Sequence, residues 1–205
     1  MFSSIKPKAN LNDLTARGTD LEVSGRFKET LAFNNFTSKD QIHLKEIQAE
    51  IVKARPTMVD IFVQYLTEIS PNGKNEIPEH EIDNYLNNFF NAPRDDKYII
   101  SIVKFFDILR KNRYEAGKTI VLFNQFAFYL HTLILHNFGL KPNKAFSLMK
   151  SLSSAINIDQ EILVEVLTER MIENVIGEIS VLMDANARIM YMKDLVNSLD
   201  HQSEE

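Results

Sequence analysis

One segment of this chain, residues 120 to 137, is apolar on nearly every side of a helix. A helix of that kind cannot face water along its length, so other elements are expected to enclose it as a central core helix. The chain has only six glycines and six prolines, and they fall between periodic segments. Such sparse turn signals favour a few long helices over many short strands. The sequence therefore predicts an all-α fold.

Phenylalanine is concentrated in this part of the chain. The residues from Asp95 to Asn137 read as helix, with Gly117 as the expected break. Five phenylalanines in the stretch are expected to lie together: Phe105, Phe106, Phe123, Phe126 and Phe128. No histidine precedes His131 in it. The stretch is therefore suited to enclose a flat or apolar ligand, or to form a packed helical core without one.

Capping residues and breakers predict where other helices begin and end. Ser38 is placed to cap a helix, with Gln41 as its capping-box partner. Asp95 suits the positively polarised start of the helix that follows it. The sequence GLKP at 139–142 has glycine after one helix and proline before the next, which is the expected order.

The length and composition suit one domain with an extension at each end. Of the 205 residues, 44% are hydrophobic, which is enough for one sizeable core. We assign residues 1–30 to an N-terminal arm, with a helix running from about Asn12 to Leu31. Residues 31–170 form the predicted domain, and residues 171–205 form a C-terminal helix and tail.

The tail has its own apolar period. Nine positions alternate in spacing by three and four residues, as in the seam of a short coiled coil: Met171, Val175, Glu178, Leu182, Ala185, Ile189, Met192, Val196 and Leu199. Five of them form the predicted dimer and signalling surface: Leu182, Ile189, Met192, Val196 and Leu199. The alternative is a helix that packs back on its own domain.

Composition excludes several classes of site. The chain has no cysteine, so disulfides, thiolate catalysis and Fe–S clusters are excluded, and a reducing cytoplasm is the expected compartment. Residues 1–20 hold no apolar signal segment, and we expect no membrane span. There is no Gly-rich phosphate loop and no GxSxG elbow. His131 and His136 are five residues apart, which does not place them on one metal-binding helix face. We expect neither an enzyme nor a metal site.

The charge pattern argues against nucleic-acid binding. The net charge is −5, and acidic and basic residues are interleaved. Nucleic-acid affinity depends on neutralising phosphates, which needs a basic patch. One local basic cluster exists, made of Arg110, Lys111, Arg113 and Lys118, and it is typical of a solvated helix end.

Three segments carry a resemblance to a known family. They are MVDIFVQYL at 58–66, IDNYLNNFFNAPRDDKYI at 82–99 and NKAFSLMKSLSSAINIDQEILVEVL at 143–167. With the order of the helices, they resemble the globin-coupled sensors and protoglobin-like domains of bacterial signalling proteins. The character is closest to non-haem sensor domains of the stressosome-regulator and sporulation-inhibitory types. The resemblance covers about residues 33–167 and implies a globin-like sensor fold.

The resemblance also implies where a haem would be held. The family's iron-binding histidine falls at Leu109, or at Arg110 if the gap is placed one residue away. Its gas-contacting distal tyrosine falls at Val63. Because a haem iron needs an axial ligand, no haem cofactor is expected, and a haem-binding oxygen sensor with a displaced ligand is the alternative. The positions that match the pocket walls form the candidate ligand site: Phe62, Val63, Leu86, Phe89, Phe90, Phe105, Phe106, Leu109, Phe123 and Phe126.

Two functional hypotheses remain beside the haem sensor. In the first, the apolar site binds a fatty-acid-like ligand, as the resemblance implies, and Arg110 or Arg113 contacts its carboxylate. In the second, the phenylalanines fill the space that haem would occupy, and the chain is a dimeric adaptor. In both, the resemblance implies a homodimer built on the last two domain helices. The expected partner is a signalling protein, either a kinase or a stress-response regulator.

Overall fold

The computed structural model describes residues 16–23, 25–51, 55–167 and Met190. Regular structure in this part of the chain is α-helical, and no strand occurs in it. The all-α prediction is confirmed.

The chain divides into two units, Met1–Val166 and Leu167–Glu205. Only Leu167 and Met190 are described in the second unit. The predicted seam of the tail therefore lies outside the described residues: Leu182, Ile189, Met192, Val196 and Leu199.

Helices α1 to α7 make up the described part of the first unit. The first six are α1 (Gly25–Phe33), α2 (Ser38–Ile51), α3 (Arg55–Ile69), α4 (Glu79–Asn91), α5 (Asp96–Lys111) and α6 (Ala116–Phe138). Within this unit, helix α7 covers residues 142–166. Helix α4 packs against α2, α3 and α5, while α6 packs against α2 and α3.

Helix α4 shows how the apolar pattern produces the core. Its buried residues are Ile82, Tyr85, Leu86, Phe89 and Phe90. These positions recur at three- and four-residue spacing and so share one face of the helix. Since α4 contacts three other helices, that face lies at the centre of the fold.

The described residues do not enclose helix α6 on every side, in contrast to the central core helix that was predicted. Its buried residues form one face: Thr119, Leu122, Phe123, Phe126, Leu130 and Ile134. Val121, Phe128 and Leu135 are exposed on it. By length and composition alone α6 could cross a membrane, and 39% of its most apolar window is buried. An all-round apolar helix thus has one face that no described residue covers.

The helix expected from Asn12 to Leu31 is shorter than predicted. Residues 16–23 are not helical, and α1 begins at Gly25. The backbone φ is +143° at Gly18 and +64° at Gly25, a region that glycine adopts without strain. The positive φ values at these two glycines do not allow a continuous helix from residue 16 into α1.

Thr37 caps α2, one residue before the predicted cap at Ser38. The Thr37 backbone N–H and hydroxyl donate to Asp40 Oδ2 at 2.8 and 2.7 Å. The N–H groups of Asp40 and Gln41 donate to the Thr37 carbonyl. Asp40 is therefore the reciprocal partner, in place of the expected Gln41.

The break between α5 and α6 lies ahead of Gly117, which is inside α6. Arg113 takes a left-handed φ of 62°, and the Tyr114 N–H donates to the Leu109 carbonyl at 3.1 Å. This closes α5 in the manner of a glycine-type C-cap. At the start of α5, Asp95 accepts from the Tyr98 N–H at 2.9 Å, which confirms the predicted role of its carboxylate.

Candidate functional site

The candidate ligand residues meet in the interior between α3, α4, α5 and α6. Val63 is half-buried, and the other nine are buried: Phe62, Leu86, Phe89, Phe90, Phe105, Phe106, Leu109, Phe123 and Phe126. Phe128 is 74% exposed and lies apart from the other phenylalanines, contrary to expectation. Phe128 is two residues from Phe126, which places the two side chains on different faces of the helix.

The rings of these residues pack directly on one another. Phe62 makes edge-to-face contacts with Phe126 and Phe123, with centroids 5.3 and 5.9 Å apart. Tyr85 stacks on Phe105 at 4.5 Å, with the ring planes 12° apart. These are favoured arrangements for aromatic pairs. We call this group, with Tyr85 as its hub, the aromatic cluster: Phe62, Tyr85, Phe89, Phe105, Phe106, Phe123 and Phe126.

Tyr85 connects the aromatic cluster to α7. Its ring contacts five phenylalanines, and its hydroxyl donates to Asp159 Oδ2 at 2.8 Å. Tyr98, on α5, donates to Asp159 Oδ1 at 2.6 Å. Tyr85, Tyr98 and Asp159 are all buried. One carboxylate on α7 therefore holds α4 and α5 at the same point.

Arg94 completes this buried group. Its guanidinium lies 4.1 Å from the centroid of the Tyr98 ring and 5.3 Å from that of Phe89. Nη1 donates to the Ala92 carbonyl at 3.3 Å, while Nε and Nη2 find no hydrogen-bond partner among the described residues. Arg94 is 1% exposed. A cation is thus held in the interior mainly by aromatic faces.

The pKa shifts agree with this geometry. Burial raises the pKa of Asp159, against the lowering influence of Arg94 and of the two tyrosine hydrogen bonds. Burial, followed by Asp159, raises the pKa of Tyr85 well above its usual value, and burial also raises that of Tyr98. Both hydroxyls therefore keep their protons and act as donors to the carboxylate.

A second polar contact joins α2 to α7. Ser151 donates to Asp40 Oδ1 at 2.6 Å, and its Oγ lies 2.8 Å from His43 Nδ1. Lys150 donates to the same Asp40 oxygen at 3.1 Å. Burial and the neighbouring Lys144 lower the pKa of His43. The imidazole is therefore neutral at neutral pH and can hydrogen-bond Ser151 without a desolvated charge.

Sequence patterns only partly reveal the polar residues. Tyr85 and Asp159 each occupy a position on an apolar helix face, where a polar group signals a buried hydrogen bond. Arg94 gives no such signal, because it follows Pro93 in a segment that reads as a charged loop. Their association depends on tertiary structure, since Asp159 is 74 residues from Tyr85.

The two arginines expected to contact a carboxylate lie in different environments. Arg110 is half-buried and paired with Asp107, and its Nε has no hydrogen-bond partner among the described residues. Arg113 is exposed in the turn after α5. Neither contacts the aromatic cluster through a cation–π interaction, whereas Arg94 does.

The positions to which the resemblance assigns the haem contacts, Leu109 or Arg110 and Val63, hold neither histidine nor tyrosine. Leu109 is fully buried and has no ligand atom, and Arg110 is engaged with Asp107. Val63 has no polar group to contact a bound gas. No three His, Asp or Glu side chains of the described residues are grouped so that they could hold one metal ion. Within the aromatic cluster, only Tyr85 carries an atom of a kind that ligates haem iron, and its hydroxyl is hydrogen-bonded to Asp159.

Two cavities lined by described residues lie outside the aromatic cluster. One, of about 470 Å³, lies between α1, α6 and α7 and is bordered by His131 and Met149 among others. The other, of about 320 Å³, lies between α3 and α6 beside Tyr65 and Phe128. Neither is lined by a residue of the candidate ligand site.

Comparison with known proteins agrees with the helical arrangement. The sequence profile of a family described as Protoglobin matches residues 23–172, which is most of the chain. A search of curated proteins finds no similar sequence.

Proposed function

Because the chain belongs to the protoglobin family, we propose that it is a globin-type sensor that works without haem and responds to a small apolar or acyl ligand. The absence of an iron ligand at Leu109 and Arg110 supports this proposal. The buried apolar surface of the aromatic cluster is the chemistry that an acyl chain or a flat apolar molecule would recognise.

The hydrogen bond between Tyr85 and Asp159 could transmit ligand binding to α7. A ligand that enters between α4 and α5 must displace rings of the aromatic cluster, because these rings are in contact. Displacing the Tyr85 ring moves its hydroxyl away from Asp159, to which it donates at 2.8 Å. Occupancy would then change the position of α7. The two states differ in a defined contact, as a switch requires.

The exposed face of α6 supports a homodimer as the signalling unit. Val121, Phe128 and Leu135 are 53%, 74% and 51% exposed and lie seven residues apart on one stripe. Such spacing is typical of a seam between helices. A second copy presents the same stripe, so the contact can be isologous. The dimer would pass the change in α7 to a kinase or a stress-response regulator.

The ligand proposal can be tested on freshly purified full-length chain. Organic extraction and mass spectrometry should release an apolar or acyl compound in near-stoichiometric amount, and equimolar haemin should give no stable Soret band. A stable band would support the haem alternative and overturn the proposal. An empty protein that also fails to bind added dodecanoate would instead support the ligand-free adaptor.

A matched variant tests the transmission step. Tyr85→Phe keeps the ring and removes only the hydroxyl. Dodecanoate should bind both forms, but it should increase hydrogen exchange in α7 only in the wild type, because the variant lacks the bond to Asp159 from the start. An equal response of α7 in both proteins would show that Tyr85 does not transmit the change.

A further inference from the structure

The larger of the two cavities has the features of a second ligand site. Its volume of about 470 Å³ lies within the range of small-molecule sites. Its apolar surface comes from Phe33, Phe146 and Met149. Other contacts hold its walls together, since Gly18 N–H donates to the Ala32 carbonyl at 2.8 Å and Lys150 donates to the Asn35 carbonyl at 2.7 Å. The concavity is therefore fixed by tertiary structure.

The charge on the cavity wall is positive. Arg17 and Lys150 line it, and none of the described residues on the wall carries a carboxylate. The charge of Lys150 is balanced by Asp40, whose Oδ1 lies 3.1 Å from Nζ. Arg17 lies over the Phe33 ring, 5.0 Å from its centroid, and forms no ion pair with a described residue. Among the described residues, the charge of Arg17 therefore has no counter-charge.

Polar side chains on the cavity wall can bond to a ligand. Ser154 is 8% exposed and borders the cavity, and Asn157 borders it from an exposed position. The Oγ of the neighbouring Ser153 lies 3.1 Å from His131 Nε2. The side chains of Ser154 and Asn157 are therefore placed to meet the polar atoms of a ligand.

From these observations we infer that the cavity binds a small amphipathic monoanion, with its apolar body on Phe33, Phe146 and Met149 and its anionic group near Arg17. Ser154 and Asn157 supply hydrogen bonds to its polar atoms. The excess of one cation selects a monoanion over a neutral or cationic molecule of the same shape. This site is separate from the aromatic cluster and does not depend on what that cluster binds.

A pair of probes with the same ring and opposite charge tests the inference. The full-length chain is titrated with 1-naphthaleneacetate and with 1-naphthalenemethylamine, and the NMR signals of the Met149 methyl and the His131 ring are followed. The carboxylate should bind at least about 5-fold more tightly than the amine, because only the carboxylate gains a charge-assisted contact. Equal binding of the two probes would overturn the inference.

Variants locate the binding. Arg17→Gln should lower the affinity for the carboxylate probe about 5-fold, while Arg17→Lys should retain most of that affinity. Arg26→Gln removes the same charge from a residue that does not line the cavity, so it should have little effect. Asn157→Trp should block the cavity, and it should still fold because Asn157 is exposed.

Three results would contradict the site. The Arg17→Gln and Arg26→Gln variants could lose affinity equally, which would indicate a general charge effect. The probe could shift ring signals of Phe62 and Phe123 but not the Met149 methyl, which would place it in the aromatic cluster. Absence of any shift at Met149 at about 10 mM probe would mean that water alone occupies the cavity.

Discussion

The buried faces of helices α6 and α7 differ in polarity. The buried face of α6 carries rings and aliphatic side chains, with Thr119 as the single buried polar residue. The buried face of α7 includes Ser151 and Asp159, both of which hydrogen-bond to other helices. Apolar contacts fix where a helix lies but tolerate small shifts, whereas hydrogen bonds fix its register. The difference makes α7 the helix whose position is most sharply defined, and therefore the better carrier of a signal.

The largest expected effect on stability is that of a substitution on the buried face of α6. Phe123→Ala should reduce the free energy of unfolding by about 3–5 kcal/mol, because it removes a ring that contacts Phe62, Tyr85 and Phe106. Urea denaturation measures the loss. Phe128→Ala, on the exposed face of the same helix, should change stability by less than about 0.5 kcal/mol. A loss below about 1 kcal/mol for Phe123→Ala would mean that the rings surround open space, since a packed ring cannot be removed so cheaply.

A smaller loss of stability is expected when the hydrogen bonds of Asp159 on α7 are removed. Asp159→Asn should reduce the free energy of unfolding by about 2–3 kcal/mol, because the amide offers one acceptor to two tyrosine donors and leaves Arg94 without a counter-charge. Chemical denaturation at neutral pH checks this. Tyr98→Phe removes only one bond and should lose about 1 kcal/mol. If Asp159→Asn were as stable as the wild type, Asp159 would be protonated in the native state.

The apolar half of this comparison could be predicted from the sequence, and the polar half largely could not. Burial of Leu86, Phe89 and Phe123 follows from helical periodicity, because a buried face leaves a regular apolar pattern. The pattern does not record which polar residue reaches which partner. Asp159 meets Tyr85 only once α4 and α7 are packed, and Arg94 becomes buried only through the rings that cover it.

The same limit explains the errors on α6 and at the helix ends. An apolar composition shows that a helix can be buried, but not that neighbours are present to bury every face. The sequence therefore predicts Phe128 in the core, whereas it is exposed. Arg113 ends α5 with a positive φ, a conformation that the sequence suggests only for glycine or asparagine. Tertiary contacts decide such positions, and local propensity does not.

Acidification should weaken the contact between α2 and α7. Burial lowers the pKa of His43 below the value of about 6.5 expected in the unfolded chain. Above that value both states are neutral and the difference has no effect on stability. As pH falls below it, the unfolded chain takes up the proton first, and the folded state loses stability. Between about pH 7.5 and pH 5.5, the wild type should therefore lose more stability than His43→Asn, whose amide can still meet Ser151 but does not titrate. Urea midpoints at both pH values give the comparison. If the wild type and His43→Asn lost the same stability between the two pH values, His43 would not be the source of the pH dependence.

The smallest effect on folding, and the largest on assembly, is expected on the exposed face of α6. Phe128→Glu should change the free energy of unfolding by less than about 0.5 kcal/mol, because the side chain is 74% exposed. It should nevertheless convert a dimer into a monomer in light scattering, since it places like charges opposite each other across a two-fold interface. Leu140→Glu is the matched control, because Leu140 is 97% exposed but lies in the turn after α6 and off the stripe. An unchanged mass for Phe128→Glu would mean that α6 is not the interface.

If the double variant Ile189→Asp and Val196→Asp then dissociated the dimer, the tail would hold the subunits together. In that case the exposed face of α6 would have no role in dimer formation.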